Sequence, residues 1–237
     1  FIDMSWGSGI NLFWGKGNGD DTRTIPLIRG MVHHNHVDRT LLGVNDYGGI
    51  EAWQGGPTYY FNNYSKHAQG PFKWDDNATW SLLGYPYYFD GAFKAYCFNN
   101  ISIGPGNSLT DAVHAYYSAF QQVLGFHNVF ANNTANNFLY GFTVQSTPGY
   151  NYYLGNILDN ISKKYFRCGD LPVGLIPYEA YGFNIFDSKA ETMGEFSSLM
   201  GSYTTLEDFR NGLKSKNAAL GQTGFQAASS VLTDPDN

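Results

Sequence analysis

The sequence predicts an all-β fold: a right-handed parallel β-helix, a solenoid of about 28 residues per coil, with a short helix near the C-terminus. Three observations predict it. First, an aromatic or aliphatic residue followed by a central Asn and another apolar residue recurs at Asn35, Asn63, Asn100, Asn128, Asn156 and Asn184. The intervals are 28, 37, 28, 28 and 28 residues. A fixed period of this size marks stacked repeats, each unable to bury its own face alone. Second, the stretches between these Asn residues are short runs of Tyr, Phe, Ile and Val cut by Gly, Pro and Asn, which are strand and turn signals. Third, no 12-residue window in the repeats carries a clean helical stripe.

Each part of the chain is assigned on local grounds. Gly49-Ile50-Glu51-Ala52-Trp53, Pro86-Tyr87-Tyr88-Phe89 and Phe142-Thr143-Val144-Gln145 read as strands. The central Asn residues read as a ladder, because a stacked amide can bond the one above and below and Asn tolerates left-handed backbone. The 37-residue interval reads as one coil with a nine-residue insertion within 66–86, and insertions in stacked repeats lie on one face. Thr205…Asp208 reads as a helix cap followed by Phe209 and Leu213 on one helical face. Residues 1–237 are expected to form a single β-helix domain, either whole or as a fragment of a longer solenoid, with 202–237 as its C-terminal capping segment. Phe1 opens in mid-pattern, without the charged start of a signal peptide.

Composition excludes several classes. With 43% hydrophobic and only 14% charged residues, the chain is too apolar for disorder. A net charge of −6 without a basic stripe argues against nucleic acid. No run of 18 apolar residues offers a membrane helix. The 17% aromatic share, with 28 Gly, suits many short strands and tight turns. Those rings either fill a wide core or stack on sugars. Cys97 and Cys168 sit about three coils apart, roughly 14 Å by strand spacing. That is beyond disulfide reach, so two free buried thiols are expected.

The densest polar segment, 33–90, includes His33, His34, His36, Asp38, Asp46, Glu51, His67, Asp75, Asp76 and Asp90. Glycoside cleavage needs two carboxyls flanking one bond. Stacked coils bring distant acids within a strand spacing, so Asp46 or Glu51 on one coil and Asp90 on the next form the expected catalytic pair. Like charges so close raise one pKa and separate an acid from a base or nucleophile. His34, His36, Trp53, Trp74, Asp75, Asp76 and Tyr88 are the expected substrate-binding residues. His34 and His36 alternate onto one side of an extended segment. There they serve sugar hydroxyls or, with Asp38, a metal. No zinc spacing is present and no cofactor is required, while calcium at Asp75 and Asp76 stays open. Each acid taken alone is equally a turn or cap residue. The sequons at Asn63 and Asn100 fall on the ladder and read as structural, whereas Asn77 reads as surface-exposed.

The runs Asn45-Asp46-Tyr47-Gly48-Gly49-Ile50 and Tyr88-Phe89-Asp90-Gly91, the latter followed by Asn99-Asn100-Ile101, resemble those of right-handed β-helix carbohydrate-active enzymes. The ending Ser202-Tyr203…Leu206…Phe209, then Ser230-Val231…Asp234-Pro235, is similar to the C-terminal close of such proteins. Among them the chain looks most like glycoside hydrolase family 141 and its relatives. It departs from them at Gly91, where relatives often carry a second acid. The resemblance implies a secreted or periplasmic polysaccharide-degrading glycoside hydrolase whose partner is a polysaccharide or oligosaccharide. Two alternatives stay open: a lyase acting on uronate-containing glycan, and a noncatalytic carbohydrate-binding or adhesin β-helix. The few cations near the acids (Arg39, Lys66, Lys73, Lys94) disfavour the lyase.

Overall fold

A computed structural model describes residues 1–13, 29–68, 70, 73–74, 80–105, 114–115, 117–145, 149–169, 179–196, 201–216 and 224–232. The structure is mostly strand, and the pairing is mostly parallel. The smaller of the two main sheets has six strands: Gly30–His33, Thr58–Phe61, Ala95–Phe98, Val129–Ala131, Tyr152–Leu154 and Ala180–Gly182. They pair in chain order, each with the next.

The larger sheet has 14 strands. Its main path begins with Ile2–Asp3, His36–Asp38, Tyr64–Lys66 and Ile101–Ile103 and reaches Thr134–Gln145. From there it returns through Ser118–Val123, Gly84–Ala92 and Tyr47–Gly55 to Ile10–Phe13. These nine strands curl through 292°, a half-barrel, with the second parallel sheet set apart from them. This corrects the expected right-handed parallel β-helix of equal coils. The reason lies in Thr134–Gln145 and Ile157–Cys168, each 12 residues long. They run through the place where a solenoid needs a corner and fuse two walls into one curled sheet. A register shift between Phe138 and Tyr140 takes up the bend, beside Asn137 at φ 66°.

The expected 28-residue spacing is corrected as well. The Asn column is Asn35, Asn63, Asn100, Asn133, Asn156 and Asn184, so Asn133 stands where Asn128 was expected. In each step the backbone N–H and the side-chain Nδ2 of one Asn donate to Oδ1 of the next, at 2.9–3.1 Å. Asn128 heads a second column, donating its N–H to Asn151 Oδ1 at 3.0 Å; Asn151 in turn donates to Glu179 at 3.0 Å. Asn63 and Asn100 are buried, as their ladder role requires.

The core lies between the two sheets and is aromatic. Tyr87, Phe120, Phe142 and Phe166 stack along the larger sheet at centroid distances of 4.9–5.5 Å. Phe130, Tyr153 and Tyr181 stack along the smaller one at 5.1–5.4 Å. Edge-to-face contacts such as Phe142–Tyr153, at 5.1 Å, join the two columns. The largest buried side chains among the described residues are therefore Tyr and Phe. Cys97 and Cys168 are free and buried, as expected, and burial pushes both thiols up.

Within 66–86 the expected insertion lies beside a small separate sheet, in which Lys73–Trp74 pairs antiparallel with Trp80–Leu82, and this strand parallel with His114–Ala115. The expected helix spans Leu206–Lys216. Thr205 Oγ1 accepts the Asp208 N–H at 3.1 Å, and Phe209 and Leu213 are fully buried. Phe209 closes the aromatic stack at 5.8 Å from Phe166.

Candidate functional site

Strand pairing brings the predicted acids together. Tyr47–Gly55 lies beside Gly84–Ala92 with Glu51 opposite Tyr88 and Trp53 opposite Asp90. On its other side, Ile10–Phe13 sets Asn11 beside Glu51 and Phe13 beside Trp53. Side chains alternate across a strand. Ile50, Ala52, Tyr87 and Phe89 fill the core, so Glu51, Trp53, Tyr88 and Asp90 stand on the outer face.

The turn before Tyr47 supplies the third acid. Asp46 adopts left-handed backbone at φ 63°, which Asp tolerates better than most residues. Its N–H donates to Leu83 O at 2.8 Å, and Asn45 Oδ1 accepts the Leu83 N–H at 3.2 Å. Those two bonds dock the turn on the next strand's approach. Gly48 then lets Tyr88 come close, because a Cβ at 48 would lie 2.7 Å from Tyr88 Cβ. The Tyr88 hydroxyl donates to Asp46 Oδ1 at 3.4 Å.

The three carboxyls have different surroundings. Glu51 is buried; its oxygens accept from Ser8 Oγ at 2.6 Å, Asn11 Nδ2 at 3.2 Å and the Gly48 N–H at 3.0 Å. Burial raises its pKa above the usual carboxylate value, the bonds from Ser8 and Gly48 oppose this, and the charges of Asp90 and Asp46 add to it. Asp90 is half-buried. Its pKa is raised first by burial and then by the charge of Asp46, with the Tyr88 hydroxyl acting in the opposite sense. Asp46 is exposed. Burial, then Asp46 and Asp90, push the Tyr88 phenol up, so it remains a proton donor. A phenol has one proton, so Tyr88 serves one carboxylate at a time.

Beside these acids lies an apolar shelf. Phe13 and Trp53 contact each other at 5.0 Å and are 56% and 36% exposed, respectively. Tyr47 is exposed at the other end of the strand. The arrangement sets exposed Asp46, half-buried Asp90 and an exposed aromatic surface around the buried Tyr88 and Glu51.

The remaining predicted residues fall elsewhere. His34 and His36 do not share one extended segment: Gly30–His33 and His36–Asp38 belong to different sheets, and His34 itself is left-handed at φ 54°. His34 contacts His33 and Asn62, whereas His36 packs between Phe1 and Tyr64. No hydrogen bond among the described residues joins either to the acids. Asp38 instead binds His67 at 2.9 Å and Lys66 at 3.6 Å. Asp75, Asp76, Asn77 and the Trp74 side chain lie outside the described residues. Among the described residues, no group of three or more His, Cys, Asp or Glu is placed to hold a metal ion.

Sequence reasoning missed Ser8, Asn11 and Phe13. All three precede the first ladder Asn, so no repeat position located them. Only the 40-residue offset between Ile10–Phe13 and Tyr47–Gly55 brings them to the acids.

Fold and site together define a mostly parallel β protein with an acidic, aromatic-flanked cluster on the outer face of a curled sheet. No family model matches the chain, and no curated protein and no solved structure matches it. Among the described residues no helix is long and apolar enough to cross a membrane.

Proposed function

We propose that this chain is a polysaccharide-degrading glycoside hydrolase, of the kind implied by its resemblance to family 141, in which Asp90 and Asp46 carry the chemistry. The observation that carries this reading is the grouping of Asp46, Tyr88 and Asp90 above buried Glu51 and beside the exposed Trp53–Phe13 shelf. Asp90 has a raised pKa and acts as the general acid, giving its proton to the glycosidic oxygen as the C–O bond breaks. Asp46 is the carboxylate partner. It either takes a proton from water as that oxygen bonds to the anomeric carbon, or bonds to that carbon itself before water releases the sugar. Tyr88 positions Asp46, and Glu51 fixes Ser8, Asn11 and the Gly48 turn around the pair. A sugar ring on Trp53 lies one strand spacing from Asp90. A polysaccharide substrate and a secreted or periplasmic setting belong to the same proposal.

The test is reducing-sugar release from a panel of neutral and acidic glycans, repeated with Asp46→Asn and Asp90→Asn. Release by the natural chain and its loss in both variants supports the reading. Ultraviolet absorbance from an unsaturated uronate would replace it with a lyase, and binding without turnover would replace it with a noncatalytic module.

A further inference from the structure

A second feature of the larger sheet lies two to three strands beyond the acids. A cavity of about 70 Å³ is lined by Thr143, Val144, Gln145, Arg167, Cys168, Gly169 and Glu195. It lies on the acids' own line of register. Phe13, Trp53, Asp90, Val123 and Gln145 are successive partners across five strands. The adjacent line runs Asn11, Glu51, Tyr88, Gln121, Thr143 and Arg167. From Asp90 to Gln145 is two strand spacings and from Tyr88 to Arg167 three, roughly 10 to 14 Å.

Resting on the glycosidase reading, we propose that the substrate chain lies along the line from Trp53 through Asp90 to Gln145 and that the cavity receives the hydroxyl-bearing exocyclic arm of a neutral hexose. About 10–15 Å³ of such space holds one water, so the cavity admits a hydroxymethyl group. The lining selects the chemistry. Arg167 only donates and Glu195 only accepts, so a group that both accepts and donates is matched. Glu195 is held in place by Lys164, and Arg167 lies over the Tyr140 ring at 5.3 Å. A pentose has no such arm to offer.

The experiment is calorimetric binding of β-1,4-linked gluco-, manno- and xylo-oligosaccharides, disaccharide to hexasaccharide, to the Asp90→Asn chain. Affinity for a hexose series is expected to step up at the length that reaches the cavity, with no such step for the pentose series. Arg167→Ala is expected to remove about tenfold of that step, with disaccharide affinity and thermal unfolding unchanged. Because Glu195→Gln also breaks the Lys164 pair, Gln145→Ala serves as the second variant, with the same expected loss. Equal steps for hexoses and pentoses, or a step that survives both Arg167→Ala and Gln145→Ala, overturns the proposal. So does a failure of all three series to bind. Hydrolysis by the natural chain with no length dependence overturns this proposal alone, whereas absence of hydrolysis on every glycan overturns the glycosidase reading.

Discussion

Three carboxyls on one patch cannot all stay charged at low cost, and their surroundings determine which one holds its proton longest. Asp90 is half-buried beside Asp46, so its charged form is disfavoured twice. Replacing Asp90 with Asn removes the acid, and kcat is expected to fall by about 10² to 10⁴-fold on glycans with poor leaving groups. Asp46→Asn has a second, directional signature. Deleting the neighbouring negative charge lowers the Asp90 pKa, so the upper limb of the kcat/KM–pH profile should move to lower pH as residual activity is followed. A limb that stays in place would separate Asp46 from Asp90 electrostatically and remove the pairing. The acids were legible from sequence because turn and strand signals, together with stacking, sufficed to bring Asp46, Glu51 and Asp90 near one another. Ser8, Asn11 and Phe13 were not, since they pair across an offset that no repeat in the sequence announces. His34 and His36 misled because alternation holds only within one strand, and Asn35 with left-handed His34 turns the chain between two sheets.

The Asn column explains both the success and the error of the periodicity. Its true members each follow a strand of the smaller sheet, as Asn63 follows Thr58–Phe61 and Asn133 follows Val129–Ala131. Asn128 precedes that strand by one residue. Both flank a short apolar run in sequence, and only the pairing register tells them apart. Parallel strands and the capped helix were legible because they rest on local chemistry. The curl of the larger sheet was not, because it depends on two 12-residue strands running straight through a corner. The column also sets a gradient of stability effects. Asn100 is buried, and its Oδ1 accepts two bonds from Asn63 while its Nδ2 donates to Tyr60 O at 2.9 Å and Asn133 Oδ1 at 3.0 Å. Asn100→Ala strands those partners in the interior and should cost about 3 kcal/mol in denaturant unfolding. Asn35 stands at the more exposed end, and its alanine variant should cost less than about 1 kcal/mol. Equal losses at the two positions would contradict the burial gradient. At the other end, Thr205→Ala should cost about 1 kcal/mol through the lost cap. Leu213→Ala should cost about 2–5 kcal/mol through the cavity it leaves.

Summed over the fold, the buried carboxyls make stability fall as pH rises. Glu51, Asp90, Glu179 and Asp187 all have raised pKa values, with burial the first cause in each. Glu179 is the strongest case with a defined value: it ends the Asn128–Asn151 column, is fully enclosed, and is pushed up to about 7. Bonds from Tyr181 and Asn151 pull the other way without cancelling the burial. The sign follows from linkage. A carboxyl whose folded pKa lies above its unfolded value favours the fold while protonated in both states, and that advantage is lost as pH climbs from about 4.5 to about 7. The loss is about 3 kcal/mol for Glu179 alone, at 1.36 kcal/mol per pKa unit. Glu179→Gln keeps the shape and removes the titration. Thermal melts between about pH 4 and pH 8 should therefore show the variant gaining on the natural chain as pH rises through that window, with little difference at the acid end. A variant whose melting curve runs parallel to that of the natural chain across the window would mean that Glu179 enters the fold already charged, with the second column satisfied by its carboxylate.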